Sequence, residues 1–188
     1  MNLLVIAQNY FNDIEMTTVL SCLKRSGKLE KLDYYNPSLQ NVEGQYGITK
    51  LDNILNEVNI DEYDGLYVPG GKGAQTLRTD LISLNLISEF LKKDKYLFAI
   101  CDAPNVLVES KIIDQTKPYS AFPSEWAKET RTEFYSNDYV TQTGAKILTG
   151  RSADASMELG LAILNLVYGK DIANFVYQGM TGRSDKKF

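Results

Sequence analysis

Three short runs of this chain are apolar at essentially every position: Leu3-Leu4-Val5-Ile6, Gly65-Leu66-Tyr67-Val68 and Tyr96-Leu97-Phe98-Ala99-Ile100. A strand with one wet face alternates apolar and polar residues. A run without alternation fits a strand covered on both faces, as in a parallel sheet between helices. The stretches between these runs have the helical period instead. Ile14 to Ser26 carries Met16, Leu20 and Leu23 on one side and stops at Gly27. One long helix is expected after Pro69-Gly70-Gly71, with Leu77, Leu81, Leu84, Ile87 and Leu91 on its inner face. Ala103 to Ser110 and Ser156 to Tyr168 complete the helical set, the last ended by Gly169.

Leu32 to Tyr35 reads as a further strand, closed by Asn36-Pro37-Ser38. Tyr139 to Gln142 and Lys146 to Thr149 flank a Thr-Gly-Ala turn and predict a hairpin, and Gln40 to Thr49 predicts a smaller one. The segment Trp126 to Phe134 has no clear period, and Arg183 to Lys187 reads as a solvated polar tail. Alternating strands and helices without a composition break predict an α/β sandwich. At 188 residues the length prior favours one domain over 1–188.

Composition narrows the chemistry. The chain has no histidine, which removes Ser-His-Asp and Cys-His catalysis and every imidazole metal site. Its two cysteines, Cys22 and Cys101, rule out a disulfide scaffold or a four-cysteine zinc site. No metal and no organic cofactor are expected. A net charge of −4 argues against a general nucleic-acid or anionic-membrane binder. Met1 to Ala7 lacks a basic leader and a cleavage site, and no run reaches the ~18 apolar residues of a membrane span. A cytoplasmic protein is the expectation.

Gly71-Lys72-Gly73-Ala74-Gln75-Thr76 fails as a nucleotide loop. Thr76 stands where a dinucleotide fingerprint needs glycine, and Gly73 where a P-loop needs Ser or Thr. A tight strand-to-helix turn, or backbone N–H groups aimed at an anion, remain as readings. Cys22 falls in mid-helix beside Leu23 and reads as a small buried filler.

Cys101 is different. It directly follows a buried strand and directly precedes a helix. That turn exposes the sulfur at the carboxyl edge of the sheet, where open α/β sheets bind ligands, and near a helix N-terminus that favours thiolate. The alternative is a core cysteine at a strand end.

The segment Ala99-Ile100-Cys101-Asp102-Ala103-Pro104 resembles the nucleophile elbow of the DJ-1/PfpI superfamily, in its DJ-1/ThiJ branch. Further motifs resemble the same family in order. These are Leu3 to Ile6 with Asp13-Ile14-Glu15-Met16, Tyr63 to Gly71 with its Pro-Gly-Gly end, and Gly73-Ala74-Gln75. Ile147-Leu148-Thr149-Gly150-Arg151 and Glu158-Leu159-Gly160 follow. The resemblance implies a flavodoxin-like, three-layer α/β/α sandwich with a mainly parallel sheet, and a homodimer. It makes Cys101 the nucleophile or redox sensor and Glu15 its acidic partner. Gly70, Gly71 and Asp102 are implied at an anion site, and Arg151 and Phe122 at the pocket.

Glu15 against a thiolate should have a raised pKa, because two adjacent negative charges disfavour each other. Asp102 replaces the small residue or histidine common after the cysteine. It leaves three readings, a weak base, a like charge on the thiol, or a side chain turned to solvent, and the last is favoured. Phe122 stands before Pro123 where the branch often has histidine, and Ala103 where glycine is usual. The resemblance implies glyoxalase or deglycase action on small reactive aldehydes, with Cys101 as nucleophile and Glu15 as acid and base. The alternative is a non-enzymatic sensor or chaperone-like protein switched by an oxidant at Cys101. A cysteine peptidase or amidase ranks last, since no histidine can serve as its base.

Overall fold

A computed structural model describes residues 1–185. The chain runs β1 (Asn2–Ile6), α1 (Asp13–Arg25), β2 (Lys31–Tyr35), β3 (Asn41–Glu43), β4 (Lys50–Asp52) and β5 (Gly65–Val68). Next come α2 (Gly73–Leu77), α3 (Leu81–Lys92), β6 (Tyr96–Ile100), α4 (Asp102–Glu109), β7 (Tyr119–Ser120) and β8 (Tyr135–Ser136). β9 (Val140–Gly144), β10 (Ile147–Gly150), α5 (Ser156–Tyr168) and α6 (Lys170–Thr181) complete it.

Six strands form the central sheet in the order β2-β1-β5-β6-β10-β9. All neighbours are parallel except β9, which pairs antiparallel with β10 through the expected hairpin. The apolar runs are buried on both faces, as their lack of alternation requires. Leu3, Val5, Tyr67, Phe98 and Ile100 join the core under α1, α5 and α6. Leu4, Ile6, Leu66, Val68, Leu97 and Ala99 join the core under α2, α3 and α4. A one-residue slip of any strand would exchange these two sets. This is the flavodoxin-like α/β/α sandwich, with the carboxyl ends of β1, β5 and β6 at one edge. Among the described residues no helix is long and apolar enough to cross a membrane.

Cys22 packs in the contact between α1 and α5. A Cβ on Gly160 would stand 2.7 Å from the Cys22 Cβ, so this glycine sets how closely the helices approach.

Two helical expectations are corrected. The helix expected after Gly71 breaks into α2 and α3 around Arg78–Asp80. Asp80 restarts it as a cap, its carboxylate accepting the Ser83 N–H at 3.1 Å. Leu81 therefore falls on the first turn of a new helix and is 69% exposed, not on the inner face. Ser156–Tyr168 is also not the last helix, since beyond Gly169 (φ 86°) the chain enters α6. Ala173 and Val176 bury one face of that helix. Lys186 and Lys187 of the expected tail lie outside the described residues.

Candidate active site

Cys101 directly follows β6 and stands at the N-cap position of α4 with φ 63° and ψ −121°. A side chain in that region costs on the order of 1–3 kcal/mol and persists only where its surroundings hold it. Two backbone bonds do so here. The Cys101 N–H donates to the Gly150 carbonyl at 2.9 Å, and the Cys101 carbonyl accepts the Phe122 N–H at 2.8 Å. The turn after β5 lies directly against the elbow. A Cβ on Gly70 would sit 2.6 Å from the Cys101 Cβ, and one on Gly71 (φ +84°) 2.4 Å from the Asn12 nitrogen. Both positions need glycine for this approach. The sulfur thereby receives the backbone N–H groups of Gly71 and Asp102.

Glu15 reaches the same point from the first turn of α1. Asn12 caps that turn, its Oδ1 accepting the N–H of Ile14 at 3.0 Å and of Glu15 at 3.4 Å. The buried Tyr67 hydroxyl donates to the Glu15 carbonyl at 2.9 Å. The carboxyl group has no solvent exposure. Its Oε2 accepts the Gly70 N–H at 2.8 Å, while Oε1 is buried without a hydrogen-bond partner and the side chain interacts with the Cys101 thiol.

Burial, reinforced by the Asp102 charge, pushes the Glu15 carboxyl up to about 7, against the bonds from Cys101 and Gly70. Burial and then the Glu15 carboxylate push the Cys101 thiol up, opposed by the Gly71 and Asp102 N–H groups. The two groups thus hold one proton between them above neutrality and titrate as a pair. The raised Glu15 has the expected direction. The thiol is not simply activated by the helix end, because burial and its partner's charge outweigh the Gly71 and Asp102 N–H groups.

Gly70 is a correction, since its N–H is spent on Glu15 and is not an anion donor. Asp102 is a second. It is 2% exposed, not turned to solvent. Its Oδ1 accepts from Asn105 Nδ2 at 2.8 Å, Ser124 Oγ at 3.0 Å and Arg78 Nη2 at 3.3 Å. Its Oδ2 accepts from Arg78 Nη1 at 2.6 Å, Gln75 Nε2 at 2.9 Å and Trp126 Nε1 at 3.0 Å. These donors hold its carboxyl below the usual range against burial. It is an ionised anchor, unsuited to act as a base at neutral pH. Arg78 continues the chain to Glu109, Nε to Oε2 at 2.9 Å.

Cys101 and Glu15 lie at the floor of a cleft of about 380 Å³. Tyr46, Phe122 and Trp126 give it aromatic walls, and Asn12, Gln45, Gln75 and Ser152 give it polar ones. Arg151 does not line it. Its guanidinium stacks on Tyr139 and pairs with Asp154 at 2.6 Å, and Asp154 is the one at the wall. Among the described residues no group of three or more Cys, Asp or Glu is placed to hold a metal ion.

The DJ-1/PfpI family profile matches residues 1–166, a span that contains both members of the Glu15–Cys101 pair. The chain belongs to the DJ-1/PfpI family.

Within the DJ-1/PfpI family, an uncharacterised Mycoplasma genitalium protein is 35% identical over 163 residues, 86% of each chain. Protein/nucleic acid deglycase 2 of Escherichia coli is 27% identical over 80% of this chain and 88% of its own. The solved DJ-1 of Schizosaccharomyces pombe superposes with a TM-score of 0.80 at 21% identity, covering 96% of this chain and 99% of that one.

Several residues that build the DJ-1/PfpI site here escaped the sequence reading. Asn12 carried a signal, an Asn directly before a helical period. Asp13 carried none. Its carboxylate captures the N–H groups of Tyr46, Ile48 and Thr49 at 2.9, 3.2 and 2.7 Å and so positions the turn that brings Gln45 and Tyr46 to the cleft. Arg78, Ser124 and Trp126 meet at Asp102 from segments remote in sequence that no spacing rule connects, while Asn105 joins them from one turn along α4.

Proposed function

We propose that this DJ-1/PfpI protein consumes small 2-oxoaldehydes, with Cys101 as nucleophile and Glu15 as acid and base. The observation that carries the reading is the Glu15 carboxyl paired with the Cys101 sulfur at the floor of the cleft. When Glu15 holds the shared proton, the Gly71 and Asp102 N–H groups favour the sulfur as thiolate. The sulfur then bonds to the aldehyde carbon, and Glu15 gives its proton to the carbonyl oxygen, leaving a hemithioacetal. The Glu15 carboxylate next removes the proton on that carbon, giving an enediolate. Return of the proton to the neighbouring carbon, with the hydroxyl proton passing to the former ketone oxygen, gives a thioester. Water cleaves the thioester, releasing a 2-hydroxy acid and the free thiol. Atoms balance as aldehyde plus water, with no net oxidation and no external redox partner. A carboxyl near 7 suits both halves of this proton traffic.

Relatives named deglycase support the reading at about 27% identity. In the same reading residues 1–188 form one domain working as a cytoplasmic homodimer, which sedimentation of the purified protein checks. Phe122 packs beside the substrate, and Arg151 acts one step back by holding Asp154.

The test is methylglyoxal consumption with lactate as product, in the wild type, Cys101→Ala and Glu15→Gln. Turnover lost in both variants supports the mechanism. Full consumption in Cys101→Ala overturns it. An inert wild type whose Cys101 is selectively oxidised by peroxide replaces it with the oxidation-sensor reading, in which the same N–H donors hold a sulfinate.

A further inference from the structure

Trp126 combines two properties that seldom coincide. Its side chain is largely in water, with the residue 62% exposed, yet its indole N–H is bonded at 3.0 Å to a carboxylate that is 2% exposed. An indole with that much surface usually turns freely and bonds to water. This one is tethered by its polar edge, so its apolar face stands at a fixed place in the wall of the cleft that Phe122 and Cys101 also line.

The tether is unusually strong for a single side chain. Asp102 keeps its charge because Arg78, Gln75, Asn105 and Ser124 satisfy the rest of its oxygens. A hydrogen bond to an ionised acceptor is roughly twice as strong as one between neutral groups. Of the residues that fix Asp102, Gln75 lies in α2, Arg78 directly follows it, Asn105 lies in α4 and Ser124 lies two residues before Trp126. The same residue contributes its backbone N–H to the Cys101 sulfur. One residue therefore contacts both the reacting atom and a ring in the wall of the same cleft.

We propose that Asp102 is a positioning residue that holds the Trp126 ring rigid in the wall of the Cys101 cleft, and that this ring makes the site prefer carbonyl compounds bearing a flat, unsaturated group. The preference for flat groups rests on Cys101 being the reacting thiol, as the proposed function has it. The rigidity of the ring does not. Offset stacking of a substrate ring on a preorganised indole adds attraction beyond buried area, and an indole already held in place loses little freedom on binding. A three-carbon aldehyde offers nothing to stack, and a cleft of about 380 Å³ leaves most of its volume unfilled by one.

Trp126 is the chain's one tryptophan, so its signals can be read without assignment. In the ¹⁵N-labelled wild type, the single indole N–H should exchange with solvent at least tenfold more slowly than in free tryptophan. Exchange at the free rate overturns the tether. In Asp102→Asn the protection should fall several-fold, acrylamide should quench the fluorescence more strongly, and anisotropy should drop. Wild-type values for all three overturn the role of Asp102. Should that variant fail to fold, the wild-type exchange rate still decides the tether.

The preference is read by Cys101 capture, which needs no turnover. The rate ratio of 2-bromoacetophenone over iodoacetamide should fall about tenfold in Trp126→Ala. An unchanged ratio overturns the preference. An enzyme inert toward aldehydes that still shows the ratio and the slow exchange would sink the aldehyde reading and leave this inference standing.

Discussion

The amide of Gly70 donates to Glu15 Oε2 at 2.8 Å, so the turn that gives the sulfur a donor through Gly71 also fixes its acidic partner. The pair is oriented by backbone rather than by side chains that could swing. Its titration is accordingly a property of the fold.

The pH dependence of Cys101 follows. One proton leaves the Glu15–Cys101 pair near 7, and the second only far above. The alkylation rate of Cys101, read by mass spectrometry, should rise to a step near pH 7 in the wild type. Glu15→Gln should abolish that step and leave a single later rise. Cys22, whose thiol burial pushes up to about 11, serves as the slow internal control. A step that persists in Glu15→Gln would mean that the pair is not the titrating unit.

Stability should carry the same signature with opposite consequence. Glu15 is raised from 4.5 to about 7 in the folded chain, so the folded state binds the proton more tightly than the unfolded one. The stability this gives is fully present below pH 4.5 and is lost as pH rises through 7. The loss is on the order of 3 kcal/mol at about 1.4 kcal/mol per unit. Urea unfolding of the wild type and Glu15→Gln should therefore diverge between pH 4.5 and 8, the variant gaining relative to the wild type. Parallel curves would contradict the shift.

At the elbow, glycine should outperform alanine. Cys101→Gly removes the side chain that φ 63° and ψ −121° oppose, whereas Cys101→Ala keeps the opposition. The glycine variant should be about 1–2 kcal/mol more stable than the alanine variant by denaturant unfolding, and both should lose aldehyde consumption. Equal stability would mean that the turn is unstrained.

Overpacking gives a separate check on the helical layer. Gly160→Ala places a methyl 2.7 Å from the Cys22 Cβ and should cost about 1–3 kcal/mol, read as a lower urea midpoint. Because the contact is remote from the cleft, the step near pH 7 in Cys101 alkylation should survive.

Asp13 sets a fifth expectation. Asp13→Ala removes the acceptor for the Tyr46, Ile48 and Thr49 amides. Those three amides should lose hydrogen-exchange protection together while the β1 amides keep theirs. Acid should do the same in the wild type. The Asp13 carboxyl is held below its ordinary value despite burial, so its contribution is present above about 3.8 and fades as pH falls through its lower folded value.

The buried strands, the elbow and the Glu15–Cys101 pair were legible for different reasons. Leu3 to Ile6 and Tyr96 to Ile100 declare two-sided burial by their own composition, because a strand's face assignment is local. Cys101 declared its turn because strand and helix meet there without a residue to spare. Glu15 was reached through resemblance, since a carboxylate in a first helical turn is ordinarily just a favourable partner of the helix dipole. The break between α2 and α3 was missed because Leu77, Leu81 and Leu84 keep a helical period straight through it.

What the sequence determined by itself is the set of properties that depend on neighbours along the chain. These are the apolar runs and their period, the stops at Gly27 and Gly169, the absence of imidazole chemistry, and the sharp turn at Cys101. Only the tertiary structure decided which polar groups meet. It turned Asp102 inward onto Arg78 and Trp126, spent the Gly70 amide on Glu15, and drew Arg151 away to Asp154. A buried charge must find its donors wherever the packed helices bring them. Apart from the neighbouring Arg151–Asp154 pair, those partners lie 24 to 55 residues away in sequence, beyond the reach of any local rule.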